Sequence, residues 1–232
     1  MPPHSPTDQS YDVIIIGGAI YGSAAAWFLT DNPDFDGRIL VVEMDPSYQK
    51  SSTAHTNSCI RQQFSRRLNV EISRFSAEFI NNFRQFMGND PRVPNLAIQN
   101  FGYLYLANTP EFAETLRAAH TIQRKAGSAT ELLSPQDIQA RYPFYHVDDI
   151  QLGSINTVNE GYFDGGTLFD WWRRSARERG VDYVTNEVVA LTKSPDGQRI
   201  TTVTLATGDK IACGCVINAS GPRAARTAQM AG

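Results

Sequence analysis

Two short, continuous apolar runs stand near the start of the chain, "YDVIII" (11–16) and "RILVVEMD" (38–45). Neither alternates, and both are rich in β-branched residues. Each therefore reads as a strand buried on both faces, as in parallel sheets. Between them lie a Gly-rich turn and "SAAAWFL", a helix that ends near "TDNPD". Strand, Gly turn, helix and strand within about 35 residues has the size of a βαβ unit.

The pattern then changes. Residues 46–65 are polar and irregular. "NVEISRFSAEFINNFRQFMG" (69–88) spaces Val70, Ile72, Phe75, Phe79, Phe83 and Phe86 by steps close to three and four, which predicts one amphipathic core helix closed by Gly88. After a break at "NDPRVPN", "FGYLYLAN" (101–108) alternates like a strand, and "EFAETLRAAHTIQRKAG" (111–127) is helical. "SPQDIQARYP" (134–143) carries a helix start: Ser134 as cap, Pro135 in the first turn, Asp137 three residues after the Ser. "GTLFDWWRRSARERG" (166–180) predicts a further helix and "VDYV" a strand. Residues 187–221 read as a β-meander with turns at "SPDG" and "ATGD", leading into a last buried strand.

Composition narrows the class. With 232 residues, 41% hydrophobic and 19% charged, the chain can bury one large core or two smaller ones. A net charge of −3 gives no basic field for nucleic acid. No apolar run is long enough to span a bilayer. Residues 1–10 show no leader pattern and are expected to be a disordered lead-in, with a cytoplasmic location as the default. Cys59, Cys213 and Cys215 make no disulfide framework and, without clustered His, a poor metal site, so none is assigned. Cys213 and Cys215 are expected in core packing.

The Gly turn carries the candidate chemistry. Gly17, Ala19 and Gly22 stand where a dinucleotide fold expects three glycines. Gly17 allows the tight turn and Gly22 close packing of helix on strand. Ala19 is a departure, tolerable where φ is negative, with Gly18 beside it giving compensating freedom. Glu43 lies 21 residues after Gly22, at the end of the second strand, where an acid accepts from ribose hydroxyls. These features point to a dinucleotide; they do not separate NAD from FAD.

Four stretches carry a resemblance: "DVIIIGGAIYGSAAAWFL" (12–29), "SSTAHTNSCIRQQFS" (51–65), "NEGYFDGGTLFDWWRRSARERGVDYV" (159–184) and "VINASGPRAARTAQMAG" (216–232). Together they resemble the FAD-dependent oxidoreductases of the D-amino-acid oxidase superfamily, in the branch of sarcosine oxidase, glycine oxidase and dimethylglycine dehydrogenase. The resemblance implies an α/β fold: an FAD-type Rossmann (glutathione-reductase-like) parallel sheet with a β-meander and a partial α+β substrate domain. The FAD-binding domain would comprise residues 11–88 and 158–232, with the substrate domain at 89–157.

It also implies FAD as cofactor, an amine or amino acid as substrate, and oxygen or another electron acceptor. Gly17, Gly18, Ala19 and Gly22 would form the pyrophosphate turn and Glu43 would hold the adenosine ribose. Ser51, Ser52 and Thr53 resemble the loop that wraps the pyrophosphate, and Val188 the position whose backbone meets adenine. Ala219, Ser220 and Gly221 match a small-residue turn near the cofactor. His55 resembles the histidine that links FAD covalently in dimethylglycine and sarcosine dehydrogenases; the other reading is a hydrogen-bonded loop histidine. Arg61 matches an arginine near the flavin's substrate face, where its guanidinium fork suits a carboxylate; a structural role is the alternative. Gln62 and Gln63 receive no role.

The sequence stops where the family's substrate domain would continue. The resemblance therefore implies a fragment, a truncated product, or a chain completed by a second one. Two further readings stand beside amine oxidation: an assembly or chaperone-like flavoprotein of the same fold with little turnover, and an NAD-binding Rossmann protein.

Overall fold

The computed structural model describes residues 3–232. In chain order its elements are β1 (Ser10–Ile16), α1 (Ile20–Asp31), β2 (Ile39–Glu43), β3 (Cys59–Ile60), α2 (Arg67–Asn81), α3 (Phe83–Phe86), β4 (Tyr103–Ala107), α4 (Pro110–Lys125), β5 (Glu131–Leu133), α5 (Pro135–Arg141), β6 (Leu152–Asn156), β7 (Gly161–Tyr162), α6 (Gly165–Glu178), β8 (Asp182–Thr185), β9 (Val188–Lys193), β10 (Ile200–Leu205), β11 (Lys210–Asn218) and α7 (Ala224–Gln229). They form two compact units, one running to Thr56 and resuming at Gly166–Gly232, the other Asn57–Gly165.

The first unit is built on a six-stranded sheet of order β8-β2-β1-β11-β10-β9. The two apolar runs are neighbours, as their pattern predicts: β1 pairs with β2 in parallel, from Val13↔Ile39 to Ile16↔Val42. On its other side β1 pairs in parallel with β11, and β2 pairs in parallel with β8. Ile14, Ile15, Leu40 and Val41 are fully buried, each worth about 1.5–3 kcal/mol of transfer from water. The meander follows as expected, with β9–β10 and β10–β11 antiparallel. Its turns close by hydrogen bonds from Gly197 N to Ser194 O and Gly208 N to Leu205 O. Val188, Val203, Leu205 and Ile211 join Ile14, Ile16, Leu40 and Val42 in one core.

The second unit holds an antiparallel sheet, β4-β6-β5, and a two-stranded ribbon, β3-β7. Ala113 and Leu116 of α4 pack on Ala107 and Leu152 of this sheet. α5 begins with the expected capping box: Asp137 N donates to Ser134 Oγ at 3.1 Å, and Ser134 N to Asp137 Oδ2 at 3.0 Å. Ser134→Ala is expected to destabilise this unit by about 1 kcal/mol, read as a lower thermal midpoint.

Several expectations need correction. The units divide at 56/57 and 165/166 rather than at 88/89 and 157/158, because α2 packs with α4 and the 57–65 segment pairs with β7. Residues 1 and 2 of the expected disordered lead-in lie outside the described residues. The remainder is tied down by polar contacts that no apolar pattern signals. His4 N donates to Thr185 O, Ser5 Oγ donates to Asp209, and Asp8 pairs with Arg38. The single helix over 69–88 breaks at Asn82 (φ −113°, ψ 27°), whose side-chain amide donates to the Glu78 carbonyl. Its stripe is only partly core. Val70, Phe79 and Phe83 are buried, but Ile72 and Phe75 remain 54% and 49% exposed, Ile72 lying about 200° around the helix from Val70. Cys213 is buried as expected; Cys215 is exposed. Among the described residues, no helix is long and apolar enough to cross a membrane.

Candidate functional site

The Gly turn sits at the carboxyl ends of β1 and β2, where open α/β sheets bind ligands. Gly17 N donates to Val42 O at 2.9 Å, and Ala219 N to Ile16 O at 2.9 Å, so the turn is held from both neighbouring strands. Gly17 has φ +99°, and a Cβ there would stand 2.5 Å from the Ala219 carbonyl oxygen. A Cβ on Gly22 would stand 1.8 Å from the Gly17 carbonyl oxygen. Both glycines are therefore required by backbone. Gly18 differs from its expected role. Its φ is not positive, and what it needs is space, since a Cβ would meet Val41, Tyr48 and Glu43 at 3.1–3.3 Å.

Ala19 is the N-cap of α1 with φ −71°, a conformation that accepts its methyl. It offers no side-chain cap, and the first turn carries no acidic residue. Ile20 N donates to Thr53 Oγ1 at 3.3 Å. A helix start without a side-chain cap presents N–H donors at the positive end of its dipole, the arrangement that binds phosphate.

Glu43 closes β2 beside this helix start. Its Oε2 accepts from Gly18 N at 2.7 Å and its Oε1 from Asp45 N at 2.8 Å. Each oxygen keeps a further acceptor site for a hydroxyl donor. Asn186 N donates to the Glu43 carbonyl at 3.0 Å, which brings the start of β9, and so Val188, to the end of β2. Val188 itself is buried in the core.

Sequence reasoning missed the side chains that support the turn. Ser23 is fully buried and donates to the Gly18 carbonyl at 2.7 Å. Tyr183 hydroxyl lies 3.4 Å from Ser23 Oγ, and burial pushes its pKa up to about 12, so it stays a neutral phenol. Tyr48 is buried edge-on against Phe169, with the Arg173 guanidinium 5.4 Å from its ring centre. A Ser in the first turn of α1 and a Tyr five residues after Glu43 were the available signals.

The loop residues divide. Ser51 caps the short helical turn Ser52–His55, accepting from Ala54 N at 3.3 Å and donating to Tyr48 O at 2.8 Å. Thr53 reaches α1, as described; Ser52 and His55 lie in the same turn. His55 Nε2 lies 2.6 Å from the Gln49 carbonyl, a bond that anchors the imidazole to its own loop. Ser220 Oγ donates to Asn218 Oδ1 at 2.6 Å, and Gly221 has φ +55°.

Arg61 belongs to the second unit, directly after β3. It is exposed, with its guanidinium 4.8 Å from the centre of the Phe64 ring. Its neighbours Gln62 and Gln63 are buried and gather around Glu160, a residue to which the sequence pattern gives no role.

The turn, the open helix start and the acid at the end of β2 define a dinucleotide-binding α/β protein. The chain matches the family model "DAO: FAD dependent oxidoreductase" over residues 12–232, and it belongs to that family. FAD is the family's cofactor, which sets aside the NAD alternative. The chain is 32% identical over 254 residues to "FAD-dependent oxidoreductase domain-containing protein 1" of Xenopus laevis, covering 99% of this chain and 50% of that protein. It is 23% identical to mitochondrial sarcosine dehydrogenase of Mus musculus, over 99% of this chain and 24% of that one. The crystal structure of L-proline dehydrogenase from P. horikoshii shares the fold, with a TM-score of 0.78 and 24% identity over 96% of this chain and 56% of its own. The chain spans about half the length of the Xenopus relative.

Proposed function

We propose that the chain is an FAD-holding part of an oxidoreductase acting at the C–N bond of an amino acid or N-methylated amine. The observation that carries the reading is the convergence of Gly17, Gly22 and Glu43 on the uncapped start of α1. In this reading the N–H groups at the start of α1, apart from Ile20 N, which Thr53 holds, face the pyrophosphate, and the Ser51–Thr53 loop closes beside it. Glu43 accepts from the adenosine ribose hydroxyls. The Val188 backbone meets the adenine, and Ala219, Ser220 and Gly221 let the chain pass close to the cofactor. When bound, FAD supplies the hydride acceptor, with oxygen or another electron acceptor as final oxidant. His55 serves as an anchored loop residue rather than a covalent link, given its bond to Gln49.

The substrate class rests on similar proteins whose names specify sarcosine and L-proline, both amino acids. Such a substrate brings a carboxylate, and Arg61 is the residue assigned to it.

The test uses the FAD-loaded protein, with sarcosine, L-proline and glycine as substrates. Arg61→Lys is expected to raise KM about tenfold, or about 1.4 kcal/mol, with flavin content unchanged, because an ammonium cannot reproduce the two-pronged contact. Loss of flavin instead would make Arg61 a structural or cofactor residue. Full flavin content with no turnover on any amine would favour the assembly-type reading.

A further inference from the structure

β3 and β7 form a ribbon of two residue pairs, Cys59↔Tyr162 and Ile60↔Gly161. Beyond Ile60 the chain leaves the ribbon, and a side chain takes over. Glu160, fully buried, accepts from Gln62 N at 2.6 Å. Its carboxylate also accepts from Gln63 Nε2 at 3.1 Å and from Asn156 Nδ2 at 3.0 Å. The orientation of both amides is fixed by their other partners. Gln63 Nε2 donates to Tyr103 O at 2.7 Å while its Oε1 accepts from Ser154 Oγ at 2.8 Å. Asn156 Oδ1 accepts from Val158 N at 2.9 Å.

A buried carboxyl is expensive to ionise unless it is hydrogen-bonded and paired. Here the three groups bonded to its oxygens are all N–H donors. Burial is the largest influence on the Glu160 carboxyl and holds it above the usual carboxylate range, although these three donors and the nearby positive charge of Arg61 offset part of that rise. A neutral acid would bring a proton to oxygens already surrounded by donors, so the network is built for the ionised form. The anion it buries fixes the backbone on the carboxyl side of Arg61, and the ribbon fixes the amino side. Between these two anchors the Arg61 side chain is left exposed.

We propose that Glu160 is a positioning residue for Arg61: by clamping Gln62, Gln63 and Asn156 it holds the backbone that aims the guanidinium at an anionic ligand. This rests on the reading of Arg61 as the residue that meets a carboxylate. It adds that the aim is set by a buried charge more than ninety residues further along the chain.

The experiment uses the FAD-loaded 232-residue chain with benzoate as probe and benzamide as its uncharged counterpart, both titrated by calorimetry. The wild type is expected to bind benzoate more tightly than benzamide. Glu160→Gln, which places a donor among donors, is expected to weaken benzoate at least about fivefold. It should leave benzamide and FAD affinities unchanged. Arg61→Lys should do the same, and the double variant should be no weaker than Arg61→Lys alone, the signature of coupled residues. If Arg61→Lys weakens benzoate and Glu160→Gln does not, the Arg61 reading stands and Glu160 is not its positioning residue. If Arg61→Lys has no effect, or the wild type does not prefer benzoate, the Arg61 reading fails and this proposal with it. Equal loss of both probes, or of FAD, in Glu160→Gln would make its role purely structural and overturn the proposal. Should that variant not fold, Ser154→Ala takes its place, since it removes only the hydroxyl that orients Gln63. A smaller but still benzoate-selective weakening supports the proposal, and unchanged benzoate affinity overturns it.

Discussion

Gly22→Val is expected to lower FAD affinity by at least about a hundredfold, equivalent to about 2.7 kcal/mol. The cause is backbone against backbone. Even the first carbon of a side chain at this position would sit 1.8 Å from the Gly17 carbonyl oxygen, and the next nearest atoms belong to Gly17 and Ile15. No rotamer relieves that contact, so α1 must swing away from β1. The N–H groups at its start then lose the position in which they are proposed to face the pyrophosphate. Gly22 itself makes no polar contact in the proposed site; its whole contribution is the closeness it permits. The sheet beneath is held by β1, β2 and β11 in register, so far-UV circular dichroism should persist with a lowered thermal midpoint. An FAD affinity equal to wild type in Gly22→Val would mean that the cofactor does not use this helix start.

Glu43→Ala is expected to weaken FAD binding by about 1–3 kcal/mol, the scale of hydrogen bonds to a charged group. Two losses combine. The ribose hydroxyls lose the acceptor proposed for them, and the N–H groups of Gly18 and Asp45 lose the oxygens that hold the turn in shape. Glu43→Gln separates them: one amide oxygen can still serve one N–H, so an intermediate affinity is expected. Fluorescence titration of apoprotein with FAD reads all three proteins. Equal affinities would remove Glu43 from the ribose role.

The parts of this picture that were legible in the sequence share a physical trait: their signal is local. Gly17, Gly22 and Glu43 announce themselves because turn, helix packing and strand end follow within one βαβ unit. The capping box of α5 was legible for the same reason, since Ser134 and Asp137 satisfy each other across three residues. β6 was not legible. It is buried along its whole length, yet it reads "LGSIN", with Ser154 and Asn156 turned into a polar network instead of an apolar core. Hydrophobic periodicity cannot report a strand whose buried positions are held by hydrogen bonds. Glu160 escaped for the complementary reason. In sequence it is one acid in "NEGYFDGG", and its three donors arrive from Gln62, Gln63 and Asn156 only once β3, β6 and β7 are assembled. The helix break at Asn82 was hidden by its flanking aromatics. Phe79 and Phe86 stack at 4.6 Å across the break, so the apolar spacing continues although the helix does not.

One titration tests FAD binding most directly: the 232-residue chain, stripped of flavin, against FAD and separately against NAD, followed by flavin fluorescence and by calorimetry. Saturable binding of one FAD per chain, with no saturable binding of NAD over the same range, is the predicted result. Binding of NAD in preference to FAD, or no saturable FAD binding by a folded chain, would contradict it.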